Sequence, residues 1–218
     1  MCNEWLDKAD LKVFERMKVN NPSRYKVAGL GQWGVSEGLI YDNFEELSFN
    51  MEDILQRENI EAVFGLDFGY MNDPTAFIAI LVDKNNKEIF IFDEFYKKGL
   101  LNKSIYSEIE YLGYTKEKII ADCADPKSID ELKSLGLRRI KPAKKGKDSI
   151  LFGIQKIKSY KIYVSPKCVN TLTELNNYIW ENKDNQFTNK PVDDFNHLMD
   201  AMRYAMESID KKGGLRTF

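Results

Sequence analysis

The sequence predicts an α/β fold with a mixed β-sheet that is flanked by α-helices on both faces. The first three strands of this sheet along the chain are predicted to be antiparallel. Three apolar, strand-like runs follow one another from residue 62 to residue 96. Helical and strand-like segments then alternate up to residue 209, which is typical of a sheet covered by helices. With 43% hydrophobic residues among 218, the chain can also bury the core of one such domain.

Residues 1–50 are predicted to form an N-terminal helix and a glycine-rich connector. Residues 4–20 carry apolar side chains at helical spacing and end at an Asn-Asn-Pro-Ser stop. Gly29, Gly31 and Gly34 match G-x-G-x-x-G, but β-friendly runs broken by Gly38 follow them instead of a helix. We therefore interpret these glycines as turn residues and not as a dinucleotide-binding loop. The main domain is expected to span residues 51–218.

The first strands of that domain are predicted at Ala62–Asp67, Thr75–Val82 and Glu88–Tyr96. The second and third are joined by a short hairpin in which Asn85-Asn86 suits a turn with positive φ.

Alternating elements follow. A helix is predicted at 103–112, a strand at 118–122, and a second helix from Pro126, since proline is favoured in a first helical turn. The remaining predicted elements are a strand at Arg138–Lys141, a helix at Asp148–Lys158, a strand at Lys161–Val164, and helices at Val169–Asn182 and Asp194–Ile209. Asp193 and Asp194 are expected to cap the last, strongly amphipathic helix.

Charge and cysteine content narrow the class of protein. Lys and Arg (32) nearly balance Asp and Glu (34), so any affinity for a polyanion must come from a local patch. Cys2, Cys123 and Cys168 are odd in number and widely spaced, which indicates reduced thiols. No apolar run approaches the ~18 residues of a membrane span, and no signal peptide is visible. We expect a soluble intracellular protein that makes no membrane contact.

Acidic residues end two of the predicted strands. Asp67 closes the first strand and Asp122 closes the strand at 118–122, so the two carboxylates would be neighbours if these strands are adjacent and parallel. His197 and Asp200 are three residues apart and share one face of the last helix. Three converging acids repel one another unless a cation holds them, and oxygen ligands suit Mg²⁺ or Mn²⁺. This pattern predicts metal-dependent phosphoryl chemistry.

Each of these residues also has a purely structural interpretation. Asp67 could cap a turn, and Asp122 or Asp125 could cap the helix that begins at Pro126. His197, the only histidine, could be an ordinary packed or surface residue. The residues alone leave these alternatives open.

A basic segment runs from the strand predicted at 138–141 to the start of the following helix. Such a run is usually a solvated loop, but its place beside the predicted metal-binding edge favours contact with DNA phosphates. Its six cations within ten residues are Arg138, Arg139, Lys141, Lys144, Lys145 and Lys147.

Five stretches together resemble the C-terminal nuclease domain of the large terminase subunit of tailed bacteriophages. From about residue 24 they recur in that family's order, and they are YKVAGLGQWGVSEGLIYDNF, GLDFGYMNDPTAF, IIADCADPKSIDEL, KGKDSILFGIQKIK and HLMDAMRYA. The resemblance implies an RNase H-like fold and a DNA-packaging nuclease that cuts concatemeric double-stranded DNA.

The resemblance also implies a catalytic cluster with two divalent ions, Mg²⁺ or Mn²⁺. Asp67, Asp122 and Asp200 match the ligand positions, and His197 matches a residue beside them. One ion, held by Asp67 and Asp200, would activate a water, while a second, shared by Asp67 and Asp122, would stabilise the leaving 3′-oxygen. Asn196 departs from the family, which often has Asp there, so no ligand is assigned to it. Asp125 is expected near the cluster without binding metal.

In a full-length protein of this family, an ATPase domain, the portal and the small terminase subunit would be the partners, in the cytoplasm of the infected bacterial host. No G-x-x-x-x-G-K-[ST] occurs, so we expect the ATP-driven motor to be absent from this chain. Two alternatives remain open. LDFGYMNDPT also resembles a phosphate loop of actin-like or sugar-kinase-like ATPases, and a catalytically inactive portal-docking module would keep the same fold.

Overall fold

The computed structural model describes residues 38–210 except 145, 147 and 185. The described residues from Ile40 onwards belong to one compact unit. The predicted helix at 4–20 and the Gly29, Gly31 and Gly34 turn lie outside the described residues, as do Lys145 and Lys147.

A seven-stranded mixed sheet forms the centre of the described part of the chain. Its strands are β1 (Phe44–Glu46), β2 (Ile60–Asp67), β3 (Thr75–Asp83), β4 (Glu88–Lys97), β5 (Ile119–Ala121), β6 (Lys141–Pro142) and β7 (Lys161–Val164), in the spatial order β1-β7-β4-β3-β2-β5-β6. Strand β3 is antiparallel to β2 and β4, and the other neighbours are parallel. The three predicted antiparallel strands are β2, β3 and β4, so the predicted fold class is confirmed.

Helices cover both faces of the sheet. On one face lie α1 (Met51–Leu55), α2 (Asn102–Tyr111) and α3 (Pro126–Leu135), and on the other lie α4 (Ser149–Lys158), α5 (Val169–Leu175) and α6 (His197–Met206). Along β3, Ile78 and Ile80 pack towards α4–α6, whereas Phe77 and Leu81 pack towards α1–α3. This two-sided burial explains why β3 is apolar at nearly every position.

Three predicted elements are wrong in their bounds or type. The strand predicted at Arg138–Lys141 is β6, which begins at Lys141. The helix predicted to reach Asn182 ends at Leu175, and the chain continues into a separate hairpin of β8 (Trp180–Lys183) and β9 (Gln186–Pro191). Asn176 and Asn177 are poor helix formers, and the Tyr-Ile-Trp run that follows favours extended backbone. The predicted last helix is shorter, with a 3₁₀ turn (Glu207–Asp210) after α6.

The β3–β4 turn also differs from the prediction. Asp83 Oδ1 accepts hydrogen bonds from the backbone N–H groups of Asn85 (3.0 Å) and Asn86 (2.9 Å). The positive φ falls on Lys87 and not on Asn85-Asn86, because the Asp83 carboxylate holds the two asparagines in the turn. No helix in the described range is both long and apolar enough to cross a membrane.

Candidate metal centre

Asp67 and Asp122 follow neighbouring parallel strands. Leu66 of β2 lies opposite Ala121 of β5, and the Asp122 N–H donates to the Leu66 carbonyl at 2.9 Å. Both carboxylates therefore leave the sheet at the same carboxyl edge, as the prediction of adjacent parallel strands required.

Helix α6 reaches that edge because β2 has a glycine where the two elements cross. A Cβ at Gly65 would lie 1.8 Å from the Ala201 carbonyl oxygen and 3.2 Å from Ala205 Cβ. Only a residue without a side chain allows the helix backbone to lie so close to the strand. Since Gly65 is two residues before Asp67 and Ala201 follows Asp200, this crossing sets how near the two acids are.

The His197 ring lies between two carboxylates. Its Nδ1 is 3.1 Å from Asp67 Oδ2, and its Nε2 is 3.8 Å from Asp73 Oδ1. The Tyr96 ring packs edge-on against the imidazole, with centroids 6.3 Å apart. The sequence placed His197 beside the acids but did not single out Asp73, because a charged residue in the β2–β3 loop has no distinctive local pattern.

Asp200 is held by an arginine on its own helix. Arg203 Nη2 lies 2.6 Å and Nε 3.2 Å from Asp200 Oδ1. The Arg203 side chain is buried, and Gly153 of α4 leaves room for it, since a Cβ there would be 3.1 Å from Arg203 Cδ. Sequence reasoning missed Arg203, although an Asp and an Arg three apart on a helix are a usable signal.

The electrostatics agree with a convergence of acids. Burial raises the pKa of the Asp67 carboxyl to about 6, and the charges of Asp200 and Asp122 act in the same direction against the hydrogen bond from His197. Burial lowers the pKa of His197, but its hydrogen bond to Asp67 and the charges of Asp67, Glu174 and Asp73 outweigh burial and leave that pKa raised.

These residues suit a hard divalent cation by donor chemistry. Carboxylate oxygens are the ligands that Mg²⁺ and Mn²⁺ prefer, and a cation would relieve the repulsion that acts on Asp67. Within the part of the chain that the structure describes, however, no three His, Cys, Asp or Glu side chains already form a metal-holding group. Asp67 is engaged by His197 and Asp200 by Arg203, so the acids are gathered at one edge without forming a closed cage.

Three other acids, Asp125, Asp193 and Asp194, were considered as helix caps, and only the first is one. Asp125 is the N-cap of α3, where its carboxylate accepts from Ser128 N (3.1 Å) and Ser128 Oγ (2.6 Å), as its structural alternative predicted. The prediction that Asp193 and Asp194 cap the last helix is wrong. The N-cap position is Asn196, whose side chain makes no cap bond, and Glu174 of α5 accepts from the first turn instead.

The basic segment is divided by β6. Arg138 and Arg139 precede that strand, and Arg139 Nη1 donates to the carbonyl of Lys116, ahead of β5 and on the amino-terminal side of the sheet. Lys144 follows β6 at the carboxyl edge, beside a cleft of about 290 Å³ that Lys156 and Arg203 also line. Lys144 therefore lies on the side of the sheet near Asp200, through the cleft that it shares with Arg203, whereas Arg139 lies on the opposite side.

Comparisons with known proteins all give the same family of phage proteins. Residues 67–208 match the family described as "Terminase RNAseH like domain". The chain is 33% identical over 220 residues to the large terminase subunit of Bacillus phage SPP1, covering 98% of this chain and 51% of that protein. It is 27% identical over 217 residues to the PBSX phage terminase large subunit of Bacillus subtilis (strain 168), covering 95% and 49%. The chain thus spans about half the length of these relatives.

A solved structure supports the same likeness. The nuclease domain of the SPP1 large terminase g2p, crystallised with bound Mn, is 32% identical and superposes with a TM-score of 0.70. The match covers 78% of this chain and 98% of that domain.

Proposed function

The chain belongs to the terminase RNase H-like family, and on that premise we propose that it is the metal-dependent endonuclease domain of a phage DNA-packaging terminase. It would cut concatemeric double-stranded DNA by phosphodiester hydrolysis with two ions, Mg²⁺ or Mn²⁺. The family match favours this function over an actin-like or sugar-kinase-like ATPase fragment. The Mn-bound SPP1 nuclease domain is the similar structure that supports a divalent metal.

The observation that carries the proposal is that Asp67 and Asp122 follow neighbouring parallel strands at one sheet edge, where the charges of Asp200 and Asp122 both act on the Asp67 carboxyl. A plasmid-nicking assay with Mg²⁺, with Mn²⁺ and with EDTA tests it. Cleavage in either metal that EDTA stops is the expected result. No cleavage in either metal would favour the inactive docking module.

The proposed chemistry divides between the ions and the protein. When bound, divalent ions supply an acidified water and neutralise charge that develops on the phosphate oxygens. Asp67, Asp122 and Asp200 would hold them through carboxylate oxygens. His197 orients the Asp67 carboxylate through the Nδ1–Oδ2 contact, and Arg203 orients Asp200 by engaging Oδ1.

Mn²⁺ is expected to raise the melting temperature of the wild-type protein. Repulsion among the three acids disfavours the metal-free native state, and a cation that binds only that state stabilises it by mass action. Thermal unfolding across a titration to millimolar Mn²⁺, with NaCl at matched ionic strength as the control, measures the effect. A melting curve that does not move with Mn²⁺ would contradict a native acidic cluster.

The second element of the proposal is a DNA path over the basic segment. We expect that replacing four lysines with alanine weakens binding to all duplex sequences alike, because phosphate contacts carry no sequence information. Each lost contact should flatten the slope of log K against log salt by about 0.9. The four residues are Lys141, Lys144, Lys145 and Lys147. Binding of labelled duplex in Ca²⁺, chosen to suppress cleavage, is the measurement.

A matched control removes four lysines at the amino-terminal end of the sheet, away from the acids. These are Lys84, Lys87, Lys158 and Lys161. This variant should keep the wild-type salt slope, and both variants should keep the Mn²⁺-induced stabilisation. Equal affinity of the first variant and the wild type at every salt concentration would move the DNA path elsewhere. Arg138 and Arg139 remain candidates for contacts with DNA phosphates farther from the acids.

The wider setting is also a proposal. Because the curated relatives are about twice as long, we propose that the part of residues 1–50 that precedes Ile40 connects an ATPase domain to the nuclease domain, whose sheet already includes β1 ahead of the expected start at residue 51. The portal and the small terminase subunit would then be partners of the full-length protein, in the cytoplasm of the infected host.

A further inference from the structure

The helix that carries two of the proposed functional residues lacks a cap of its own. The N-terminus of α6 has Asn196 at the cap position with no side-chain bond to the helix, and Asn196 Oδ1 is buried without a hydrogen-bond partner among the described residues. His197 begins the helix and Asp200 lies in its first turn. A displacement of this first turn would therefore move both His197 and Asp200 relative to Asp67.

A carboxylate from another helix takes over this role. Glu174, near the end of α5, is only 1% exposed, and its Oε2 accepts from Leu198 N at 2.7 Å and Met199 N at 3.2 Å. These two amides lie between His197 and Asp200 in sequence. The negative charge also faces the positive end of the helix dipole, which favours the same placement.

This arrangement is costly, which distinguishes it from an ordinary cap. A Ser, Thr or Asp at position 196 could satisfy such amides from the solvent-facing side of the turn. Here a carboxylate is buried instead, and burial raises the pKa of Glu174 to about 7 against the hydrogen bonds from Tyr96, Leu198 and Met199 that lower it. Its effect is to fix α6 against α5, whereas a local cap would fix it only to its own loop.

The same carboxylate adjoins the ring that supports His197. The Tyr96 phenol hydrogen-bonds to the Glu174 carboxylate, and burial, the charge of Glu174 and this hydrogen bond raise the pKa of Tyr96. The Tyr96 ring packs edge-on against His197. Glu174 is thus close both to the first turn of α6 and to the side chain that packs against the imidazole.

We infer that Glu174 is a positioning residue for the metal centre, which holds the first turn of α6 so that His197 and Asp200 face Asp67. This inference rests on the proposed function. Glu174 itself touches neither substrate nor metal. It acts by accepting hydrogen bonds from two backbone amides, so the length of its side chain (its reach) matters more than its charge.

Two conservative substitutions separate reach from charge. Glu174→Gln keeps the length and one acceptor oxygen but loses the charge, whereas Glu174→Asp keeps the charge and is one methylene shorter. Mn²⁺ affinity, measured by calorimetry well below each melting temperature, should stay close to wild type in Glu174→Gln. It should weaken on the order of 10–100-fold in Glu174→Asp, the range found when residues that orient metal ligands are changed. The cleavage rate at saturating Mn²⁺ should follow the same order.

A matched control separates positioning from general loss of stability. Asp83 is another buried carboxylate that accepts two backbone N–H groups, but it lies in the β3–β4 turn at the opposite end of the sheet. Asp83→Ala should lower the melting temperature and leave the Mn²⁺ affinity of the folded protein unchanged. Glu174→Ala should lower both, and if it does not fold, the Gln and Asp pair still decides.

The outcomes distinguish this inference from the proposed function. If the wild type binds Mn²⁺ and cuts while Glu174→Asp binds Mn²⁺ as tightly, the positioning role is wrong and the nuclease stands. Equal weakening in Glu174→Gln and Glu174→Asp would also overturn it, since charge and not reach would then matter. If the wild type neither binds Mn²⁺ nor cuts, both proposals fall, because no centre remains to be positioned.

Discussion

Replacing Asp67 with asparagine is expected to lower Mn²⁺-dependent plasmid cleavage by about 100-fold or more. Asp67 is the acid that the other two act on, so its charge is central to holding a cation between them. Losing a few kcal/mol of metal-derived stabilisation of the transition state corresponds to a factor of this size. The rate should be compared at saturating Mn²⁺, so that weaker metal binding is not mistaken for slower chemistry.

The same variant should remain folded. Asparagine has nearly the shape of aspartate, and its amide oxygen can still accept from His197 Nδ1. Burial of the Asp67 carboxylate is unfavourable, as its pKa of about 6 indicates, so a neutral amide should leave the metal-free melting temperature equal or higher. The Mn²⁺-induced rise in melting temperature should be largely lost. This opposite movement of stability and activity is characteristic of a functional acid.

Asp130→Asn is the matched control, because Asp130 is an exposed aspartate on α3 whose ion pair among the described residues is with Lys133 at the surface. It should cut like the wild type. Asp122→Asn should lose cleavage as Asp67→Asn does, and Asp200→Asn somewhat less, since water can replace a helix-borne ligand. Full cleavage by purified Asp67→Asn would remove Asp67 from the site.

Replacing Gly65 with alanine is expected to destabilise the protein by about 3 kcal/mol or more, the upper range for overpacking a core. The new methyl group would lie 1.8 Å from the Ala201 carbonyl oxygen, which is backbone and cannot rotate away. Either β2 or α6 must shift. For a domain of this size, the melting temperature should fall by about 6–12 °C.

The shift should also separate Asp67 from Asp200. Mn²⁺ affinity of the fraction that remains folded should therefore fall in Gly65→Ala. Gly146→Ala is the control, because a Cβ at Gly146 meets nothing within 4 Å, and its stability should change by no more than about 0.5 kcal/mol. A Gly65→Ala protein as stable as Gly146→Ala would show that the helix–strand crossing tolerates a side chain.

Local pattern was enough to predict the central strands. β2, β3 and β4 were predicted within two residues of their observed ends, because these apolar runs are short, rich in Ile, Val and Phe, and bounded by turn residues. The hairpin of β8 and β9 was missed, since it lies off the main sheet and neither strand carries a continuous apolar run. The helix predicted at Val169–Asn182 was too long for a related reason. The apolar spacing of α5 continues without a break into β8, so the sequence pattern does not show where the helix ends.

The sequence by itself determined which residues could carry the chemistry, because acids at strand ends and on one helix face are visible in the order of residues. It also determined the family, through several motifs in one order. Only the tertiary structure decided what holds those residues in place. Gly65 and Glu174 act through contacts with other elements, and the link between Glu174 and α6 joins residues 24 apart. Arg203 pairs with Asp200 on its own helix, but the room for its side chain comes from Gly153 of α4. Such contacts depend on how helices pack on a sheet, which no local periodicity encodes.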